Sequence, residues 1–191
     1  MKTKQKILNA ALEVLMESGF PALTQTRIAE VAGVSQGNLT YHFPTRTDLL
    51  KAVVEETKAR MTAIRAAELE AGSLSWASLE NFLMSIPLSK TMPHLMLALT
   101  VAKDEDPSLA EWFAQADLGM RQNFRRLLAK FGYQTDEGTL HFMRATMIGA
   151  ALMHMQQNSQ ASEQVARGVM KNACDYLKQR VTPLSSESNG I

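Results

Sequence analysis

The sequence predicts an all-α protein with an N-terminal three-helix helix-turn-helix head, joined by a long helix to a C-terminal helical domain. Three observations predict it. Apolar residues recur at the helical period through most of the chain. Ser, Thr or Asp stands before most of these runs, and Gly or Pro stands at their ends. No stretch alternates convincingly as a strand, and no internal repeat is present.

Ile7, Leu8, Ala11, Leu12, Leu15 and Met16 form one face of a first helix that Ser18-Gly19 stops. Thr24 is placed to cap a second helix whose inward residues are Ile28, Ala29 and Ala32. Gly33 ends it, and Val34 fills the corner. Ser35 caps a short third helix that buries Leu39 and Phe43 and turns Gln36, Gly37, Thr40 and Tyr41 outward. Gly37 is costly inside a helix, but it removes a side chain, so another backbone can approach closely. A helix that reads a DNA major groove needs this arrangement: short, rigid, polar near its N-terminus and flanked by hydroxyls and cations.

The third helix gives way at Pro44, and Thr45-x-x-Asp48 reads as a capping box with Asp in place of the usual Glu or Gln. The long helix it opens runs to about Ala71, where Gly72-Ser73 breaks it. Five more helices follow, over about Ser75–Ile86, Thr91 to the acidic turn Asp104-Glu105-Asp106, Asp106 to Phe131, Thr135–Gln157 and Ala161–Val181. The expected organisation is a head over 1–50, with the helix over 45–71 as a bridge. A helical domain follows over 51–181, and 182–191 has the composition of a frayed end.

The segment Ile28-Ala29, Ala32-Gly33-Val34-Ser35, Gly37-Asn38-Leu39, Tyr41-His42-Phe43 and Thr45-Arg46-x-Asp48-Leu49-Leu50 resembles the DNA-binding domain of the TetR family of bacterial regulators. The close resemblance covers roughly the first quarter of the chain. Thr40 stands where many relatives carry tyrosine, and Arg46 where they usually carry lysine. The resemblance implies a homodimer that binds a palindromic double-stranded DNA operator and is released by a small ligand. The candidate DNA-binding residues are Thr24, Gln25, Thr26, Arg27, Ser35, Gln36, Gly37, Asn38, Thr40, Tyr41, His42 and Arg46. Gln36 and Thr40 are expected at base edges. Thr24, Gln25, Thr26, Tyr41, His42 and Arg46 are expected to serve phosphates and positioning.

Charge agrees with this in placement more than in total. The 191 residues carry a net charge of only +1, with 46% hydrophobic and 20% charged residues. Residues 1–51 hold six Lys or Arg (Lys2, Lys4, Lys6, Arg27, Arg46, Lys51) against four acids (Glu13, Glu17, Glu30, Asp48). Lys2, Lys4 and Lys6 precede the first helix, and Arg27 and Arg46 lie near helix starts flanking the reading helix, where phosphates would lie. No apolar run is long enough to span a bilayer, and MKTKQKILNA lacks a secretory core, so a cytoplasmic location is expected.

Two apolar stripes in the last two helices suggest an association surface. Leu140, Met143, Met147, Gly149, Ala150, Ala151 and Met153 form one; Val165, Ala166, Val169, Met170, Ala173 and Leu177 form the other. Paired about a two-fold axis they would make a four-helix bundle. Between head and stripes, Phe82, Met96, Trp112, Phe113, Met120, Phe124 and Met147 are candidates to line a compartment for a mostly apolar or amphipathic small ligand, because Met and aromatic side chains adapt to irregular apolar shapes. His94, Asp117, His141 and Arg144 are polar candidates for orienting it.

Catalysis is not expected. His42, His94, His141 and His154 show no metal-ligand spacing with one another or with Cys174, no phosphate-cradling glycine loop appears, and no cofactor is implied. Cys174 sits in a helical stripe and reads as a small core residue. The function expected is a sequence-specific transcriptional regulator, a repressor released by ligand. The alternative is a helix-turn-helix protein that acts mainly through a protein partner, with DNA as its platform.

Overall fold

The computed structural model describes residues 2–71, 74–89, 91–107 and 109–184. The described residues are almost entirely helical: α1 (Thr3–Ser18), α2 (Gln25–Ala32), α3 (Gln36–His42), α4 (Arg46–Ala71), α5 (Trp76–Ser85), α6 (Thr91–Glu105), α7 (Leu109–Lys130), α8 (Glu137–Gln157) and α9 (Gln160–Arg180). Several of these helix starts carry a side-chain cap. Thr24 accepts from the Arg27 N–H, Ser35 from Asn38, Ser75 from Ser78, Asp136 from Thr139 and Ser159 from Ser162. These caps satisfy N–H groups that a helix start leaves without partners. At α4 the expected box is formed: the Thr45 N–H donates to Asp48 Oδ2 at 3.1 Å, and the Asp48 N–H donates to Thr45 Oγ1 at 3.0 Å. The break expected at Gly72-Ser73 lies outside the described residues, as do residues 185–191 of the expected frayed end.

The chain folds as two compact units, one within Met1–Ala71 and His94–Leu109, the other within Gly72–Pro93 and Ala110–Ile191. Thus α4 stays whole within the first unit, together with most of α6, a helix whose sequence pattern had placed it in the C-terminal domain. In the first unit α1 buries Ile7, Leu8, Ala11, Val14 and Leu15 against α2, α3 and α4. Leu23, Ile28, Leu39, Phe43, Leu49, Leu50 and Val53 complete that core. Burial of such side chains contributes roughly 1.5–3 kcal/mol each relative to exposure, which is what holds so short a helix as α3 in place. In the second unit α8 and α9 form an antiparallel hairpin turned by Asn158 in the left-handed region (φ 42°), and α5 packs on α9. Leu79, Leu83, Leu128, Leu140, Met143, Met170 and Leu177 lie at its centre.

Two expectations are corrected. A two-residue antiparallel pairing joins β1 (Tyr133–Gln134) to β2 (Thr182–Pro183), and the Leu184 N–H donates to the Gly132 carbonyl at 2.9 Å. Residues 182–184 are therefore tied down rather than frayed. A two-residue strand has no period for a sequence to display. Second, most of the apolar stripes of α8 and α9 are core: Leu140, Met143, Ala150, Ala151, Ala166, Met170, Ala173 and Leu177 are buried within this one chain. Met153 and Val165 remain about half exposed.

Candidate nucleic-acid interface

The head is built around α3. Leu39 and Phe43 anchor it from below, so its other face is fixed in orientation. Gln36, Gly37, Asn38 and Thr40 are all exposed, and Tyr41 is 83% exposed. An apolar-bodied side chain this bare is unusual on a helix that otherwise buries its large residues. The His42 ring stacks edge-on against Tyr41, with centroids 5.3 Å apart, and so stiffens it. Thr40 Oγ1 donates back to the Gln36 carbonyl at 2.9 Å, which satisfies its hydrogen while leaving its lone pairs and methyl outward. A Cβ added at Gly37 would meet nothing within 4 Å, so nothing inside the head requires glycine there. Gly33 differs: it adopts φ +62° to end α2, and its N–H and that of Val34 reach back to the carbonyls of Glu30 and Ala29.

The flanking residues divide into outward and committed groups. Thr26 and Arg27 are exposed, with Arg27 only loosely paired to Glu30 at 3.8 Å. Thr24 and Ser35 cap helices and remain exposed. Gln25 instead turns its amide inward, donating to the carbonyls of Phe43 at 3.1 Å and Pro44 at 2.9 Å. It ties the start of α2 to the end of α3, so its role in the free head is to position. Arg46 is also held. Its guanidinium lies 3.7 Å over the Phe20 ring, donates to the Phe20 carbonyl, and pairs with Glu105 at 3.0 Å. Sequence reasoning missed both partnerships, since the partners lie 18 to 59 residues away.

The candidate ligand residues are divided between the two units. Phe82, Phe124 and Met147 are half-buried against the core of the second unit. Trp112 and Phe113 form an edge-to-face pair with centroids 5.7 Å apart. Met120 is half-buried in α7, and Met96 belongs to the first unit. A shallow cleft on the α8–α9 face, lined by Ala150, Met153, Gln157, Ser162, Val165, Ala166 and Val169, contains none of the seven. Of the polar candidates, Asp117 is paired with Arg144 and, at 3.3 Å, with Arg121. Arg121 and Arg125 also meet Glu137, whose carboxyl the Arg125 hydrogen bond holds below the usual range. Among the described residues no group of His, Cys, Asp and Glu could hold a metal ion. Burial pushes the Cys174 thiol up to about 11, which leaves it protonated and unsuited to nucleophilic work near neutrality.

Comparison with known proteins agrees with this geometry. Residues 7–53 match the family model for bacterial regulatory proteins, tetR family. The chain is 32% identical over 122 residues to the HTH-type transcriptional regulator CymR of Pseudomonas putida, an alignment that covers 58% of this chain and 56% of that protein. The chain thus spans about half the length of the curated relatives it matches. Solved structures are similar over nearly the whole chain. A transcriptional regulator from Rhodococcus sp. Rha1 superposes with a TM-score of 0.77 at 20% identity, covering 96% of this chain and all of that one. The multidrug binding protein EbrR, complexed with ethidium, gives a TM-score of 0.64 at 25% identity, covering 90% of this chain and 98% of that one. The N-terminal head is thus similar to the DNA-binding domain of the tetR family of bacterial regulatory proteins.

Among the described residues no helix is long and apolar enough to cross a membrane.

Proposed function

We propose that this chain is a sequence-specific DNA-binding transcriptional regulator of the cytoplasm, a homodimeric repressor released by a small, mostly apolar ligand, with no catalytic role. The observation that carries the reading is the face of α3: Gln36, Gly37, Thr40 and Tyr41 stand exposed together on a helix immobilised by buried Leu39 and Phe43. Gln36 and Thr40 supply amide and hydroxyl groups for base edges, while Thr24, Thr26, Arg27, Ser35, Asn38, Tyr41 and His42 surround them with groups suited to phosphates. The half-exposed Met153 and Val165, flanking an apolar cleft, support pairing of two copies through α8 and α9. A palindromic operator follows from that symmetry. A ligand acts by population shift, favouring a spacing of the two heads that no longer fits both half-sites. That EbrR is complexed with ethidium, a planar aromatic cation, supports a small aromatic or amphipathic ligand here.

Reciprocal linkage tests the ligand part. Trp112 fluorescence, isolated by Trp76→Phe, reports binding of candidate apolar compounds. A true inducer loses affinity in the presence of saturating operator by the same factor by which it weakens operator binding. A compound that binds without this reciprocal loss is not the inducer. If no apolar or amphipathic compound in a broad screen shows coupling, release by ligand is overturned.

A further inference from the structure

Arg46 opens α4 just beyond the Tyr41-His42 end of α3, where a cation could grip the DNA backbone, yet its guanidinium is engaged on three sides. Phe20 provides two of them, its ring 3.7 Å from Cζ and its carbonyl oxygen accepting from Nη2. The third is Glu105, whose Oε2 accepts from Nη1 at 3.0 Å. Phe20 is part of the head's own core turn, whereas Glu105 ends α6, 59 residues downstream. One residue on, Thr47 Oγ1 donates to Asp106 Oδ2 at 3.1 Å. The end of α6 therefore delivers two carboxylates onto the first turn of α4.

These contacts differ in kind. The Phe20 ring and carbonyl orient the guanidinium and leave its charge available, as cation–π and neutral acceptors do. Glu105 neutralises the charge and occupies an N–H edge that a phosphate would use. The first turn of a helix favours an anion, so carboxylate and phosphate compete for one place. Glu105 is itself about half exposed, and an ion pair open to water is weakly held, so a phosphate can displace it.

We propose that Glu105 is a built-in competitor for the DNA backbone: it occupies Arg46 in the free protein, and the head gains its full grip on phosphate only when the end of α6 lets go. This rests on the reading of the head as DNA-binding. Because α6 begins with residues of the second unit and ends at Glu105, the competitor has a covalent link to the segment proposed to answer ligand.

Duplex DNA affinity of the full chain, measured against salt concentration, tests it in four variants: Glu105→Gln, Arg46→Ala, the two combined, and Asp104→Asn as a control for bulk charge. Glu105→Gln should bind about 3- to 10-fold more tightly, and the magnitude of its log–log salt slope should rise by about one phosphate contact, roughly 0.9. The gain should vanish when Arg46 is alanine, and the double variant should behave as Arg46→Ala alone. Asp104→Asn should give a smaller gain that persists without Arg46. A Glu105→Gln variant that binds no better than the parent, or better by the same factor with and without Arg46, overturns the proposal while leaving the head's reading intact. A parent chain with no affinity for any duplex overturns both.

Discussion

Gly37 shows what one residue contributes to the reading of α3. Its exposed position and the empty space around an added Cβ mean that the free protein does not need a glycine there. Replacement by alanine should improve helix propensity and reduce the freedom of the unfolded chain, raising stability by a few tenths to about 1 kcal/mol. The same methyl should crowd a DNA backbone or base edge packed onto α3. Gly37→Ala is thus expected to keep or slightly raise the melting temperature while lowering operator affinity, checked by calorimetry and a DNA titration on the same sample. Equal affinity would make Gly37 a helix oddity with no part in the contact. Arg46 and Gln25 teach a complementary lesson. Both read in the sequence as phosphate ligands, and both are spent in the free protein on partners inside the same compact unit. Their chemistry was legible, but their partners lie too far along the chain for spacing to reveal.

At the scale of elements, what the sequence disclosed is local. A capping residue and the N–H it accepts lie three positions apart, so Thr24, Ser35 and Thr45 mark helix starts without any knowledge of the fold. Gly33 and Gly132 mark ends for the same reason, since a positive φ costs a glycine little. The Asp136 cap also leaves an electrostatic signature. Hydrogen bonds from the Thr139 N–H and hydroxyl hold its carboxyl below the usual range. A depressed folded value means that this cap stabilises above the unfolded carboxylate range and is lost as pH falls through the folded one. What the sequence could not disclose is which side of an apolar stripe faces what. The α8 and α9 stripes show helical period whether they pack inside one chain or between two, and only the fold shows that Ala150, Ala166 and Met170 are consumed within the protomer. The β1–β2 pairing was invisible because four residues offer no pattern.

For the whole molecule, the proposed dimer rests on the apolar surface left over after that packing. Met153 is 51% and Val165 53% exposed, so a charge at either position should not disturb the protomer's core. Met153→Glu would place an unpaired carboxylate in the proposed contact, at a desolvation penalty of several kcal/mol across the two symmetric sites. Light scattering should then find monomer, with the circular dichroism of the parent, and operator affinity should collapse because one head reads one half-site. A Met153→Glu protein that remains dimeric would move the interface elsewhere.

Underlying all of this is the claim that α3 reads sequence. The most direct measurement is selection of bound duplexes from a randomised DNA pool, run in parallel on the parent chain and on Gln36→Ala and Thr40→Ala variants. The parent should enrich a two-fold symmetric motif. Each variant should lose preference at a base position in both halves, with a discrimination loss of about 1–3 kcal/mol there and none elsewhere. A pool without enrichment, or one whose motif is unchanged by both substitutions, would contradict it.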